Sequence, residues 1–258
     1  MDLFQNLIFG FGVALSWQNL LYCTCTGNSC SASSTGCTTG NAGSNAVDIL
    51  SVHIYPNNYK PEDIPGQVSA VRAVLQPQDL AKPLWDDEGG WGQNTTATQL
   101  AGANPDLEAA WIARFHIMNW ASGLGRAYWY EWDNAAYGTL WSPTSIQGCT
   151  TPFTGGGFIC SGGIAYQQVH DWMVGSTLTN CSSVGTSWTC NLVRSNGSAA
   201  QILWDTSQTC SNGTCGTIQY SVGSQFNMYE DLTGATHSIS GSVPVGIKLI
   251  LVFTQAGS

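Results

Sequence analysis

The chain has 258 residues, 43% of them hydrophobic, which suffices for a sizeable core and excludes wholesale disorder. Charged residues make up only 9%, and seven Lys and Arg against sixteen Asp and Glu leave a formal charge of -9. Nucleic-acid binding needs clustered positive charge to displace counterions, and the sequence carries no such cluster.

Residues 1–22 are apolar, but Asp2 stands where a leader peptide carries Lys or Arg, and Gln5 and Asn6 interrupt the run. The reading is a chain whose true leader lies upstream. No run of about 18 uninterrupted apolar residues occurs, so no membrane span is expected. Residues 23–46 are rich in Ser, Thr, Gly, Asn and Cys and read as a long loop. Cys23, Cys25, Cys30 and Cys37 fall in this loop without the C-x₂-C pairs of a zinc site, so no metal is expected.

Regular structure begins at Asp48. The β-rich run to Tyr55 ends at Pro56 and predicts a buried strand. Pro61, then Glu62 and Asp63, then Ile64, Val68, Val71 and Leu75 at helical spacing predict a helix over 61–75. A second strand over 83–88 stops at Gly89-Gly90 and is followed by a long helix over 105–122. A third strand over 126–132 leads through a loop to a helix over 163–174. Strands alternating with helices imply a parallel sheet with crossover helices. From about residue 178 the pattern changes to short alternating segments (187–194, 199–205, 216–222, 226–232 and 245–253) separated by turn residues. The fold class is therefore α/β, with an α/β region over 1–177 and a small antiparallel β-sandwich over 178–258.

Ten Cys in a chain so poor in charge point to disulfides and an oxidising, extracellular compartment. Cys149 and Cys160, Cys181 and Cys190, and Cys210 and Cys215 each bracket a short turn-like stretch and could close small rings, although sequence does not fix connectivity. Sequons at Asn94, Asn180, Asn196 and Asn212 matter only in a glycosylating pathway. Trp111, Trp120, Trp172, Trp188 and Trp204 sit on apolar faces and are expected in the core; His116, His170 and His237 have no ligand spacing and receive no role.

Active residues of parallel α/β sheets gather at the carboxyl ends of the strands. His53 and Tyr55 end the first predicted strand, Glu88 the second, and Trp129, Glu131 and Trp132 the third. A carboxylate able to attack an anomeric carbon, a Tyr to hydrogen-bond it and an aromatic plane for a sugar ring make up half a glycosidase site. Asp86 and Asp87, beside Glu88, read as loop charges rather than chemistry.

The segments VDILSVHIYP, KPLWDDEGGWG and GRAYWYEWDN resemble strands six, seven and eight of a clan A glycoside hydrolase, with families 39 and 5 nearest, and PVGIKLILV resembles the β-sandwich that follows the barrel in several such families. The resemblance covers residues 47–258. It implies a partial (β/α)₈ TIM-type barrel followed by the sandwich, a retaining O-glycoside hydrolase acting on β-linked plant-type polysaccharide or oligosaccharide, and no cofactor. It also implies Glu88 as nucleophile, Tyr55 and His53 as its companions and Trp129 as the aromatic under the sugar, with Trp85 and Trp91 as further substrate contacts. Such enzymes carry an Asn-Glu pair whose Glu is the acid/base. This sequence has no Asn-Glu, and Asp2 is its only acid before Asp48. A full barrel takes roughly 200–250 residues, so the chain reads as N-terminally truncated and inactive alone unless Asp86, Asp87 or Glu131 substitutes. Two other readings stand beside it: a non-catalytic carbohydrate-binding protein, and an inactive gene fragment. The fragment's open sheet edge at residues 48–55 would invite self-association.

Overall fold

The computed structural model describes residues 47–56, 60–75, 77–90, 104–133, 140–211 and 213–255. Its first layer is a three-stranded parallel sheet in the order β1-β2-β3, formed by Leu50–Ile54, Leu84–Gly89 and Arg126–Trp129. Between β1 and β2 lies α1 (Ile64–Val74), entered through a 3-10 turn at Pro61–Asp63. Between β2 and β3 lies α2 (Pro105–Ala121), which begins cleanly because Asn104 Oδ1 accepts the Leu107 N–H at 3.2 Å and Pro105 sits in its first turn. Cys23, Cys25, Cys30, Cys37, Trp91, Asn94 and Asn212 lie outside the described residues.

Helix α2 is the centre of the molecule. Every residue from Glu108 to Asn119 is buried, because α1, the parallel sheet and α3 (Ser161–Met173) pack around it. Within that helix His116 is buried, with its ring edge-on to Tyr166 at 4.9 Å. Burial lowers its pKa from 6.5 to about 4. Its folded pKa lies below the unfolded one, so its contribution is present above about pH 6.5 and is lost as pH falls toward 4. Urea unfolding should show the wild type losing about 3 kcal/mol more than His116→Gln across that window; parallel profiles would contradict the burial.

The stretch between β3 and α3, read from sequence as a loop, holds a small antiparallel sheet in the order β4-β6-β5 (Trp141–Ser142, Phe158–Cys160 and Cys149–Pro152). The third predicted strand is correspondingly shorter: β3 stops at Trp129, so Glu131 and Trp132 follow the strand rather than end it.

Beyond α3 the elements among the described residues are all strands. A six-stranded antiparallel sheet has the order β14-β13-β16-β9-β8-β7, built from Thr236–Ser238, Met228–Asp231, Ile250–Phe253, Ala199–Asp205, Ser187–Val193 and Thr177–Val184. A ribbon of β12 (Thr217–Ser221) and β15 (Ser242–Gly246) packs Val243 and Val245 against Leu203, Ile250 and Val252 of that sheet. The apolar run 245–253, read as one strand, is two: β15 and β16 belong to different sheets. The chain turns after Gly246, where a Cβ would sit 2.7 Å from the Gly216 carbonyl oxygen. β7 escaped the sequence reading because its Thr, Asn and Ser residues alternate little in polarity.

Among the described residues three disulfides, Cys149–Cys160, Cys181–Cys190 and Cys210–Cys215, each join residues directly opposite in an antiparallel pair, the last across the short strands β10 (Cys210–Ser211) and β11 (Thr214–Cys215). One apolar cluster runs through the α/β part and on to Cys190, Leu192, Ile202, Trp204 and Leu251 of the antiparallel sheet. Polar contacts reinforce that junction. Glu62 Oε1 accepts from buried Arg114 Nη1 at 3.1 Å and from Trp204 Nε1 at 2.8 Å, and Trp172 Nε1 donates to Glu230 Oε2 at 2.9 Å. Trp111, Trp172 and Trp204 are fully buried, with Trp188 stacked on Trp204 at 5.4 Å. Among the described residues no helix is long and apolar enough to cross a membrane.

Candidate functional site

Side chains alternate along β1. Leu50, Val52 and Ile54 enter the core with α1 and α2, which leaves Ser51, His53 and Tyr55 on the opposite face. β2 starts in step, with Leu50 opposite Leu84, Ser51 opposite Trp85 and Val52 opposite Asp86. Then the register slips: His53 lies opposite Glu88, and Asp87 is the extra residue of a β-bulge. Strict alternation from Leu84 would send Glu88 the way of Leu84 and Asp86, into the helix layer. The bulge reverses its parity and puts it on the face of His53 and Tyr55.

The side chains then meet. Tyr55 Oη donates to Glu88 Oε1 at 2.6 Å. His53 Nδ1 lies 3.5 Å from the same oxygen, and His53 Nε2 lies 3.5 Å from Asp87 Oδ1. Glu88 is 30% exposed and Asp87 33%, while His53 is held at 9%, so both carboxylates reach solvent above a nearly buried ring. A carboxylate with one oxygen fixed by a phenol, open on one side, is suited to nucleophilic attack on a bound electrophile.

Asp86 has a different environment. It is 0% exposed and accepts the Ile54 N–H on Oδ1 at 3.0 Å. The loop charge read from sequence is therefore a buried group, because its parity matches Leu84 rather than Glu88.

The remaining sequence candidates spread over two faces. Trp85 lies under Arg126, whose guanidinium carbon is 5.1 Å from the ring centroid, and 6.4 Å from the Tyr128 ring. Trp129 turns the other way, edge-on to Trp111 and Phe115 at 5.7 and 5.3 Å, so its ring belongs to the α2 layer. The β3 aromatic on the Trp85 side is Tyr128, 44% exposed, which the sequence reading passed over. Its signal was parity: Arg126 pairs with Trp85, so Tyr128 shares that face. Glu131 follows a cis Tyr130–Glu131 peptide and is half-buried. Trp132 is 51% exposed, and its carbonyl accepts the N–H groups of Leu140 and Trp141, which ties the β4–β6 insert to the end of β3.

No protein-family model matches this chain, and no curated protein matches it. Solved structures do. A family 39 glycoside hydrolase from the gut symbiont Bacteroides cellulosilyticus WH2 superposes with a TM-score of 0.59 at 14% identity, over 83% of this chain and 45% of that one. A GH51 arabinofuranosidase from Xanthomonas axonopodis pv. citri superposes with a TM-score of 0.52 at 14% identity, over 84% of this chain and 55% of that one. The chain thus spans about half the length of these enzymes. What it shares with both, at this identity, is part of their fold.

Proposed function

We propose that this chain carries the nucleophile half of a retaining glycoside hydrolase site, with Glu88 as nucleophile and a β-linked plant-type polysaccharide or oligosaccharide as substrate. The observation that supports it is the Tyr55–Glu88 hydrogen bond of 2.6 Å at adjacent strand ends, made possible by the bulge at Asp87. One Glu88 oxygen is held by Tyr55, so attack falls to the other. It forms an ester bond to the anomeric carbon as the bond to the leaving oxygen breaks, and water then cleaves the ester. Trp85, Tyr128 and Trp132 are the proposed sugar-stacking surfaces. The three disulfides support secretion into an oxidising compartment.

No acid/base is assigned, and this determines the kinetics. A 2,4-dinitrophenyl β-glycoside needs no acid to depart, whereas hydrolysis of the ester needs a base. Stopped-flow absorbance should show a burst of about one dinitrophenolate per protein followed by slow turnover. Azide, which needs no base to attack, should speed the slow phase and give the β-glycosyl azide. No burst with any sugar, in a sample that still binds oligosaccharide, would favour the carbohydrate-binding reading, which the exposure of Tyr128 and Trp132 supports.

Tyr55→Phe removes the donor to Glu88 while keeping the ring. The burst rate should fall by about a hundredfold, with stability changed by only about 1 kcal/mol, the net worth of one hydrogen bond. A burst rate within a factor of about two of wild type would show that Tyr55 does not orient the nucleophile.

A further inference from the structure

Asp86 sits between the catalytic strand ends without facing the cleft. Its Oδ1 accepts the Ile54 N–H at 3.0 Å. Ile54 immediately precedes Tyr55, and Glu88 immediately follows the bulge residue Asp87. One carboxyl, carried by β2 just before the bulge, therefore holds the β1 backbone just before Tyr55. The space around it is closed: a Cβ on Gly89 would stand 2.6 Å from Asp86 Oδ2 and 2.5 Å from Phe115 Cζ.

We infer that Asp86 is a positioning residue that clamps β1 to β2 at the bulge through the Ile54 backbone and thereby sets the Tyr55–Glu88 pair. The inference rests on the glycosidase reading for its chemistry but not for its geometry.

The buried site favours the uncharged form of the acid. Burial pushes the Asp86 carboxyl well above the carboxylate range, and the charge of Asp87 adds to the rise. The Ile54 N–H, the Asn119 carboxamide and the Glu88 N–H oppose it without overcoming it. Asp86 Oδ2 and Asn119 Oδ1 are both buried without a hydrogen bond, and one N–H of Asn119 Nδ2 donates to the Phe115 carbonyl at 3.1 Å. The folded pKa is raised, so the stabilisation is present below the unfolded carboxylate range and is lost as pH rises through the folded value. An Asn in its place reproduces the uncharged shape and keeps a carbonyl for the Ile54 N–H.

The test compares Asp86→Asn with Asp86→Ala by two readouts: the rate of Glu88 labelling by a 2-deoxy-2-fluoro glycoside, and the ring-nitrogen NMR shifts of His53, whose Nδ1 lies 3.5 Å from Glu88. Asp86→Asn should label within about threefold of wild type and leave the His53 signals in place, whereas Asp86→Ala should label about a hundredfold more slowly and move them. Unmoved His53 signals in a folded Asp86→Ala protein would overturn the clamp. So would an Asn variant that moves them, a result that stands even if the Ala variant does not fold. A wild-type protein that no glycoside labels would sink the glycosidase reading alone, because the His53 signals still decide the role of Asp86.

Discussion

Glu88→Gln should abolish covalent trapping and reduce the burst rate by on the order of 10⁴-fold or more, the scale of losing a catalytic nucleophile. The amide is isosteric and still offers Tyr55 a carbonyl oxygen, so the hydrogen bond that orients residue 88 survives. What is lost is the negative charge that the proposed reaction directs at the anomeric carbon. The melting temperature should stay within about 2 °C of wild type, since residue 88 is partly exposed and contributes little to the core. Glu88→Gly makes the complementary case. With azide occupying the space of the missing carboxylate, attack comes from the nucleophile's side and a β-glycoside should yield the α-glycosyl azide. Wild-type burst kinetics in Glu88→Gln would move the nucleophile to another carboxylate, with Asp87 and Glu131 the first to test.

Gly89→Ala is the second large effect expected. A methyl group there would lie 2.5 Å from Phe115 Cζ, 2.6 Å from Asp86 Oδ2 and 2.7 Å from the Ile54 carbonyl oxygen. The last is backbone of the neighbouring strand and cannot rotate away. Relief requires β1 and β2 to separate where Tyr55 and Glu88 meet, at about 3 kcal/mol, the upper part of the overpacking range. Both the urea midpoint and the labelling rate should therefore fall. A variant with wild-type stability would mean that the strand ends are looser than this packing implies.

The parts legible in sequence were those carried by local pattern. Pro61 with Glu62 and Asp63 marked the entry to α1, and Pro105 marked α2, because capping chemistry is local. The three short-range cysteine pairs were legible as rings because each spans a hairpin. Glu88, Tyr55 and His53 were legible as strand-end residues, and the structure brings them into contact. The bulge was not. One extra residue in β2 depends on pairing with β1, and Asp87 carries no local mark of being the one left over. For the same reason Asp86 and Asp87 looked alike in sequence, while one is sealed in the core and the other is exposed. Trp129 and Tyr128 are adjacent aromatics on one strand, and only the register with β2 sends Trp129 to the helix layer and Tyr128 to the Trp85 side.

The most direct measurement is peptide mass spectrometry after incubation with a panel of 2-deoxy-2-fluoro β-glucosyl, β-xylosyl and related glycosides bearing activated leaving groups. Such reagents need little acid assistance, and the fluorine slows hydrolysis of the ester so that it accumulates. The expected result is a single sugar adduct on the peptide containing Glu88, absent from Glu88→Gln, with the reactive sugar naming the substrate class. An adduct on a different carboxylate, or none from any glycoside in a folded, sugar-binding sample, would contradict the assignment of Glu88 as the nucleophile.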